Sequence, residues 1–305
     1  DFAFVASTHD DQPGYTNILN HGSMYVFFDA VHRGSSASQV LPNTWRKTQK
    51  LSAPTLSDNE YFGKAIVSDG VAWLVISATG WGPTNSDTRG AVHIYSLNQT
   101  SLSNPVWNHF QTLTVSSLSC HLFGSSLSIS GETLAVGADS EDDVDGTLNK
   151  GAVYMYDFSA ANNTWAFRER LTASDGASGD WFGHSVAIDG ATIVIGTESG
   201  GAAYVFHTED DGATYGQVAK LTATDAAAGD KFGTSVAVDG GTVAIGAWYG
   251  NSAGSGSGSA YVFRTSDGGA TYGQVAKLTA ADAVADDGFG YSVAIDGNTI
   301  VVGAL

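Results

Sequence analysis

The densest group of metal-ligating side chains in the sequence is an acidic loop. Asp139, Glu141, Asp143 and Asp145 occupy alternate positions, and Gly146 follows them. Carboxylate oxygens are the ligands that calcium prefers, and alternate spacing before a glycine lets a loop curl these oxygens around one cation. The same pattern is also typical of a solvated acidic hairpin tip. Ca²⁺ is therefore the one cofactor that the sequence suggests, and both interpretations stay open.

Two short motifs predict covalent modification. Asn98-Gln99-Thr100 and Asn162-Asn163-Thr164 are N-glycosylation sequons,. Both fall where we expect exposed loops between a third and a fourth strand, so we predict glycans on Asn98 and Asn162 if the source is a eukaryote. The alternative is that both segments are ordinary polar turns.

Three aromatic residues lie in predicted loops of variable length, namely Trp81, Trp248 and Tyr249. Exposed aromatic rings stack on sugars or insert into protein partners, because they combine a large apolar face with a polar edge. We therefore predict ligand binding by these residues, against the alternative that they anchor their own loops.

No catalytic motif is continuous in the sequence. The eight histidines are scattered, and neither a His-Glu-x-x-His pattern nor a Gly-x-Ser-x-Gly elbow is present,. A catalytic pair brought together from distant loops stays compatible with the sequence. The prediction is therefore that the protein has no catalytic residues, with an enzyme as the alternative.

Charge and composition restrict the partners. The 305 residues contain 13 Lys and Arg against 31 Asp and Glu, which gives a net charge of −18. Such a surface repels nucleic acid and anionic membranes. The single cysteine, Cys120, excludes a fold held by disulfides within the chain,. No apolar run approaches the ~18 residues that span a bilayer, so we predict neither nucleic-acid binding nor membrane insertion.

A repeat of Phe-Gly organises the whole chain. Seven residues after each Phe comes a turn residue followed by Gly, and then an apolar run that ends in small residues such as Val136-Gly137-Ala138. A fixed period of this length is typical of an array of similar structural units. Phe-Gly occurs at residues 62–63, 123–124, 182–183, 232–233 and 289–290.

Each repeat predicts four short antiparallel strands, which together make one propeller blade. In the third complete unit the first strand runs from Phe182 to Ile188, and Asp189-Gly190 should close a type I′ hairpin,. The blades are predicted at residues 1–52 (partial), 61–114, 122–172, 181–222, 231–279 and 288–305 (partial). Four complete and two partial blades do not close a five-bladed ring, so we predict one propeller domain that belongs to a longer chain.

These motifs resemble the FG-GAP repeat, the unit of the integrin α-subunit propeller. The resemblance extends over essentially all residues and rests on Phe-Gly, the turn, Val-Gly-Ala and an aromatic strand such as 203–206. It implies an all-β propeller, usually of seven blades. The calcium loop that the family often carries between strands one and two is reduced here to pairs such as Asp189-Gly190, which cannot supply six oxygens.

The function that follows from this reasoning is non-catalytic. We predict an extracellular or cell-surface recognition, adhesion or structural module that binds protein or glycan through its variable loops. Self-association into a surface appendage or matrix polymer fits the near-identical repeats. The alternative is a hydrolase or lyase with its site at the propeller centre or on a further domain.

Overall fold

The computed structural model describes residues 2–7, 22–29, 45–54, 60–82, 89–98, 105–116, 121–143, 146–210, 212–227, 229–252 and 254–305. The described residues form 21 strands. None of them forms a helix that is long and apolar enough to cross a membrane. The chain divides into two compact units, unit 1 with Asp1–Leu118 and Leu122–Gly124, and unit 2 with Ser119–His121 and Ser125–Leu305.

Unit 1 contains two antiparallel sheets whose strands follow one another in chain order. The first sheet has three strands and the second has four. The strands of the first sheet are β1 (Phe2–Ser7), β2 (Ser23–Asp29) and β3 (Trp45–Leu51), and those of the second are β4 (Phe62–Ser68), β5 (Trp73–Ala78), β6 (Ala91–Asn98) and β7 (Val106–Thr114).

Unit 2 contains three four-stranded antiparallel sheets and a terminal pair of strands, again in chain order. The first sheet is formed by β8 (Leu127–Ser130), β9 (Thr133–Ala138), β10 (Ala152–Ser159) and β11 (Thr164–Leu171). The second is β12 (Phe182–Asp189), β13 (Thr192–Thr197), β14 (Ala203–His207) and β15 (Gly216–Leu221). The third is β16 (Phe232–Asp239), β17 (Thr242–Ala247), β18 (Ser259–Arg264) and β19 (Gly273–Leu278), followed by the pair β20 (Ser292–Asp296) and β21 (Thr299–Gly303).

These sheets confirm the predicted fold class. The structure is all-β, with four-stranded antiparallel sheets arranged as propeller blades, and the first and last sheets are incomplete. In the four-stranded sheets the second strands are among the most buried, because other strands flank them on both edges. All six residues of β13 are buried, for example. The seven-blade count and membership of a longer chain stay predictions.

The predicted hairpin is shifted by one residue. Asp189 pairs with Thr192 as the last residue of β12, so the loop consists of Gly190 and Ala191. Positive φ occurs at Gly190 (52°) but not at Asp189, and the type I′ assignment to Asp-Gly is therefore wrong. The Asp189 carboxylate instead accepts a hydrogen bond from the amide of Gly240, at the equivalent turn of the next sheet, at 2.6 Å.

The two glycines of the repeat form a joint between neighbouring sheets of unit 2. A methyl group on Gly196 would lie 1.9 Å from the carbonyl oxygen of Gly233, so the second strand must carry glycine where the next Phe-Gly approaches. Ser185 completes the contact by donating from Oγ to the same carbonyl oxygen at 2.8 Å. The same arrangement recurs with Gly137, Ser126 and Gly183, and with Gly246, Ser235 and Gly290.

The phenylalanine of each pair fills the core between sheets. Phe182 is fully buried, and its ring centroid lies 5.5 Å from that of Tyr204 and 6.1 Å from that of Phe206. Phe232 repeats the arrangement with Tyr261 and Phe263. The repeat residues are thus used for packing, which leaves the positions that flank them free to vary.

Candidate active site

The positions that flank the constant residues of unit 2 hold several charged, histidine and aromatic side chains. One such position directly follows the second strand of each sheet, and it holds Asp139, Glu198 or Trp248. The other directly follows Phe-Gly, and it holds His184, Thr234 or Tyr291. Because the Phe-Gly joint brings the next sheet against the second strand, side chains at these two positions can meet across the joint, as Asp139 does with His184 and Trp248 with Tyr291.

The first such meeting is a histidine–carboxylate pair. His184 Nδ1 lies 3.1 Å from Asp139 Oδ2. Asp139 is 5% exposed, and its other oxygen accepts a hydrogen bond from Ser140 Oγ at 3.1 Å. Since a carboxylate only accepts, Nδ1 carries the proton and Nε2 is left as the acceptor. The His184 side chain is 34% exposed, so the arrangement presents a general base of fixed tautomer.

A second carboxylate links this histidine to a lysine. Glu198 Oε2 lies 4.0 Å from His184 Nδ1, and Glu198 Oε1 lies 3.4 Å from Lys231 Nζ. Lys231 also donates to Ser199 Oγ at 3.3 Å. The backbone of Lys231 has a φ of 59°, as the residue before Phe-Gly must turn the chain into the joint. Asp139, His184, Glu198 and Lys231 therefore form a continuous row of polar side chains along this edge.

A pocket of about 250 Å³ lies beside Glu198 and Lys231, whereas His184 and Asp139 are not among the residues that line it. Its charged lining comes from Glu198, Asp230 and Lys231, and the rest is mainly glycine, alanine and Ser199. The volume is slightly below the ~300–1,000 Å³ of most ligand pockets, which fits a small polar molecule. The small residues leave backbone groups accessible at the pocket wall.

The acidic loop is engaged by cationic side chains. Arg170 Nε donates to Glu141 Oε1 at 2.8 Å, and Lys150 Nζ donates to Asp143 Oδ2 at 2.8 Å. Within the described ranges no three His, Cys, Asp or Glu residues are grouped so that they could hold a metal. Asp145 lies outside the described residues. Calcium binding here stays a prediction, in which the ion competes with Arg170 and Lys150.

The remaining predicted site residues lie apart from this pair. Asn98 ends β6, and Asn162 lies in the turn between β10 and β11; both are exposed, and their glycosylation stays a prediction. Trp81 is half-buried against the core of unit 1, and a ligand role for it stays a prediction. Cys120 lies outside the described residues.

Trp248 and Tyr249, in contrast, lie in unit 2 on the loop after β17. Tyr249 is 45% exposed, and the centroids of the two rings are 5.3 Å apart. Ligand binding by these two residues stays a prediction.

Sequence reasoning did not single out His184, Glu198 or Lys231. No local motif marks them, because the pair is made by residues 45 positions apart. A usable signal was nevertheless present: when the repeats are superimposed on Phe-Gly, most of the positions that flank the constant residues in unit 2 hold charged, histidine or aromatic side chains, with Thr234 as an exception.

Comparisons with known proteins identify the fold. The FG-GAP repeat model matches residues 117–156, 165–206, 215–263 and 272–305. No curated protein matches the sequence. The chain is similar to the solved structure of a periplasmic gluconolactonase from Pseudomonas aeruginosa, with a TM-score of 0.61 and 12% identity over 99% of this chain and 76% of that one. A functionally unknown protein from Desulfotomaculum acetoxidans is similar at a TM-score of 0.51 and 12% identity, over 92% and 68%.

The comparison with the gluconolactonase corrects one prediction. The predicted non-catalytic role in recognition, adhesion or structure is wrong. Over 99% of its length the chain has a fold similar to that of a protein described as a gluconolactonase, so this fold does not indicate a non-catalytic function. At 12% identity the similarity shows the fold alone, since one fold supports many functions. By the repeat matches, the chain belongs to the FG-GAP repeat family.

Proposed function

We propose that unit 2 is a hydrolase that opens the carbonyl–oxygen bond of a lactone or a related ester. The observation that carries the proposal is the hydrogen bond between His184 Nδ1 and the buried carboxylate of Asp139. A half-exposed imidazole held in this way is suited to take a proton from water. The gluconolactonase with the same fold supports a lactone as the first substrate to test.

The proposed reaction balances with one water molecule. Water bonded to His184 Nε2 gives a proton to the imidazole while its oxygen forms a bond to the carbonyl carbon. The bond between that carbon and the ring oxygen then breaks, and the imidazolium returns the proton to the departing alkoxide. Asp139 stays ionised and stabilises the imidazolium, as the carboxylate of a catalytic triad does. The product is the open-chain hydroxy acid.

Lys231 is the second group with a defined role. Its ammonium group lies on the pocket wall next to Glu198. A positive charge at this point stabilises the oxyanion that develops on the carbonyl oxygen. Glu198 holds Lys231 and lies beside His184, and it therefore fixes the two groups relative to each other.

An exported location belongs to the same proposal. The gluconolactonase of the same fold is described as periplasmic, and the acidic composition with a single cysteine is compatible with life outside the cytoplasm. An extracellular or periplasmic site would give the enzyme direct access to small sugar acids and their lactones.

The test is a hydrolysis assay on the purified chain. Glucono-δ-lactone, other γ- and δ-lactones and aryl esters are supplied, and proton release is followed with a pH indicator after subtraction of spontaneous hydrolysis. His184→Asn should lower kcat/KM by about 100-fold or more, the usual contribution of a general base. His207→Asn is the matched control, because His207 lies on β14 with its Nδ1 at 3.2 Å from Thr192 Oγ1. A wild-type chain that hydrolyses none of these compounds would overturn the proposal.

A further inference from the structure

Three aromatic rings meet at the next joint of unit 2. Trp248 occupies the position of Asp139, and Tyr291 occupies the position of His184, in equivalent places of their repeats. The Trp248 ring lies 5.9 Å from the Tyr291 ring and 5.3 Å from the Tyr249 ring, with interplanar angles of 75° and 69°. Trp248 therefore supports both tyrosine rings edge to face.

The two tyrosines present large exposed areas. Tyr249 is 45% exposed and Tyr291 is 52% exposed, whereas Trp248 between them is only partly exposed. Core aromatics of the repeat, such as Phe232 and Tyr261, are buried. Adjacent exposed apolar rings often mark a binding site, and packing against Trp248 limits how far they can turn away.

Hydrogen-bond acceptors lie beside the rings. Asp286 Oδ1 and Tyr249 Cε2 lie 2.9 Å and 3.5 Å from the point that a methyl group on Gly256 would occupy. The glycine therefore provides the space in which a carboxylate and an aromatic ring converge. Asp286 itself has a φ of 68°, and its amide donates to the carbonyl oxygen of Ser255 at 2.9 Å, which fixes the position of this residue.

This aromatic group is joined to the pocket of the active site. The amide of Tyr249 donates to the carbonyl oxygen of Asp230 at 3.2 Å, and Asp230 lines the pocket with Glu198 and Lys231. The rings are thus linked to a pocket residue through one backbone hydrogen bond.

We infer that Trp248, Tyr249 and Tyr291 form a subsite for a neutral saccharide ring. One face of a pyranose carries C–H groups that pack on an aromatic ring, and its hydroxyl groups donate to carboxylates, which only accept. The nearby Asp230 and Asp286 and the net charge of −18 disfavour an anionic ligand,. The inference rests on the proposed function, because a saccharide subsite implies that the hydrolysed lactone belongs to a sugar.

Isothermal titration calorimetry tests the subsite without hydrolysis. Cellotetraose and maltotetraose are titrated separately into the wild-type chain and into Tyr249→Ala, Tyr291→Ala and Tyr291→Phe. At least one of the two saccharides should bind, and each alanine variant should weaken that binding about tenfold, whereas Tyr291→Phe keeps the ring and stays within about threefold. Val275→Ala is the control for loss of an exposed apolar side chain, because Val275 is 57% exposed on β19.

Two results would overturn the inference: neither saccharide binds, or the alanine variants bind as tightly as wild type. Binding of tetramethylammonium in place of the saccharides would also overturn it, because the rings would then serve as a cation cage. The lactone assay is independent of these readouts. Lactone hydrolysis without saccharide binding would overturn the subsite and leave the proposed function intact. Saccharide binding without lactone hydrolysis would overturn the proposed function and leave the subsite intact.

Discussion

At the residue scale, the hydrogen-bond partner decides what each buried carboxylate of the acidic loop can do. Asp139 and Glu141 are both nearly inaccessible, at 5% and 4% exposure. Glu141 accepts from Arg170, an always-charged partner, and the two form a structural ion pair. Asp139 accepts from His184, whose side chain is 34% exposed and is the base of the proposed reaction. Two carboxylates two residues apart therefore receive different roles from their partners, which spacing in the sequence does not reveal.

A pH-dependent stability of unit 1 follows from one buried histidine. Burial, with a smaller contribution from the nearby His109, lowers the pKa of His93 from 6.5 to about 3. Between these two pH values the unfolded chain binds a proton that the folded chain does not, so stability falls as the pH falls. The loss is about 1.4 kcal/mol per pH unit, or about 2 kcal/mol from pH 6.5 to pH 5.

The check is urea unfolding of wild type and His93→Gln at pH 6.5 and pH 5. Gln keeps a polar group near Thr112, whose Oγ1 lies 3.0 Å from His93 Nδ1, but it does not titrate. The variant should lose less unfolding free energy than wild type over this interval. Equal losses in the two proteins would show that His93 is not the source of the pH dependence.

The joint between sheets is the critical feature at the element scale. A Cβ atom at Gly196 would lie 1.9 Å from a backbone oxygen, which cannot move without shifting the next sheet. Gly196→Ala should therefore destabilise unit 2 by about 3 kcal/mol, at the upper end of typical overpacking costs. Gly216→Ala, on β15 of the same sheet, is the matched control, because no atom lies within 4 Å of its Cβ position. Thermal unfolding of both variants measures the difference, and equal melting temperatures would contradict the joint.

The strands could be predicted from the sequence because the repeat motif recurs along the chain and marks the same strands each time. Phe-Gly, the turn glycine and the small residues are each required by a local contact, as Gly196 and Phe182 show. The position of the hairpin loop could not be predicted, because Asp189 is held by the amide of Gly240 in the neighbouring sheet. This contact joins residues 51 positions apart and leaves no local signature.

At the scale of the whole molecule, repetition explains both what was predicted and what was missed. The all-β propeller class follows from the repeat period. The function does not, because one fold supports many functions and a similar fold occurs in a protein described as a gluconolactonase,. The candidate site uses residues from several sheets that become neighbours only when the Phe-Gly joints form. No sequence motif therefore marked His184, and Trp248 had two interpretations. Their proposed roles depend on Asp139 and Tyr291, which lie across the joints.

The most direct test of the account is a double-mutant cycle on lactone hydrolysis. The kcat/KM is measured for wild type, Asp139→Asn, His184→Asn and the double variant, with circular dichroism to confirm that each is folded. Residues that act as one unit show strongly non-additive losses. We predict that the double variant hydrolyses the lactone within about threefold of the rate of His184→Asn. Losses that multiply, or a single Asp139→Asn variant as active as wild type, would contradict a catalytic Asp139–His184 pair.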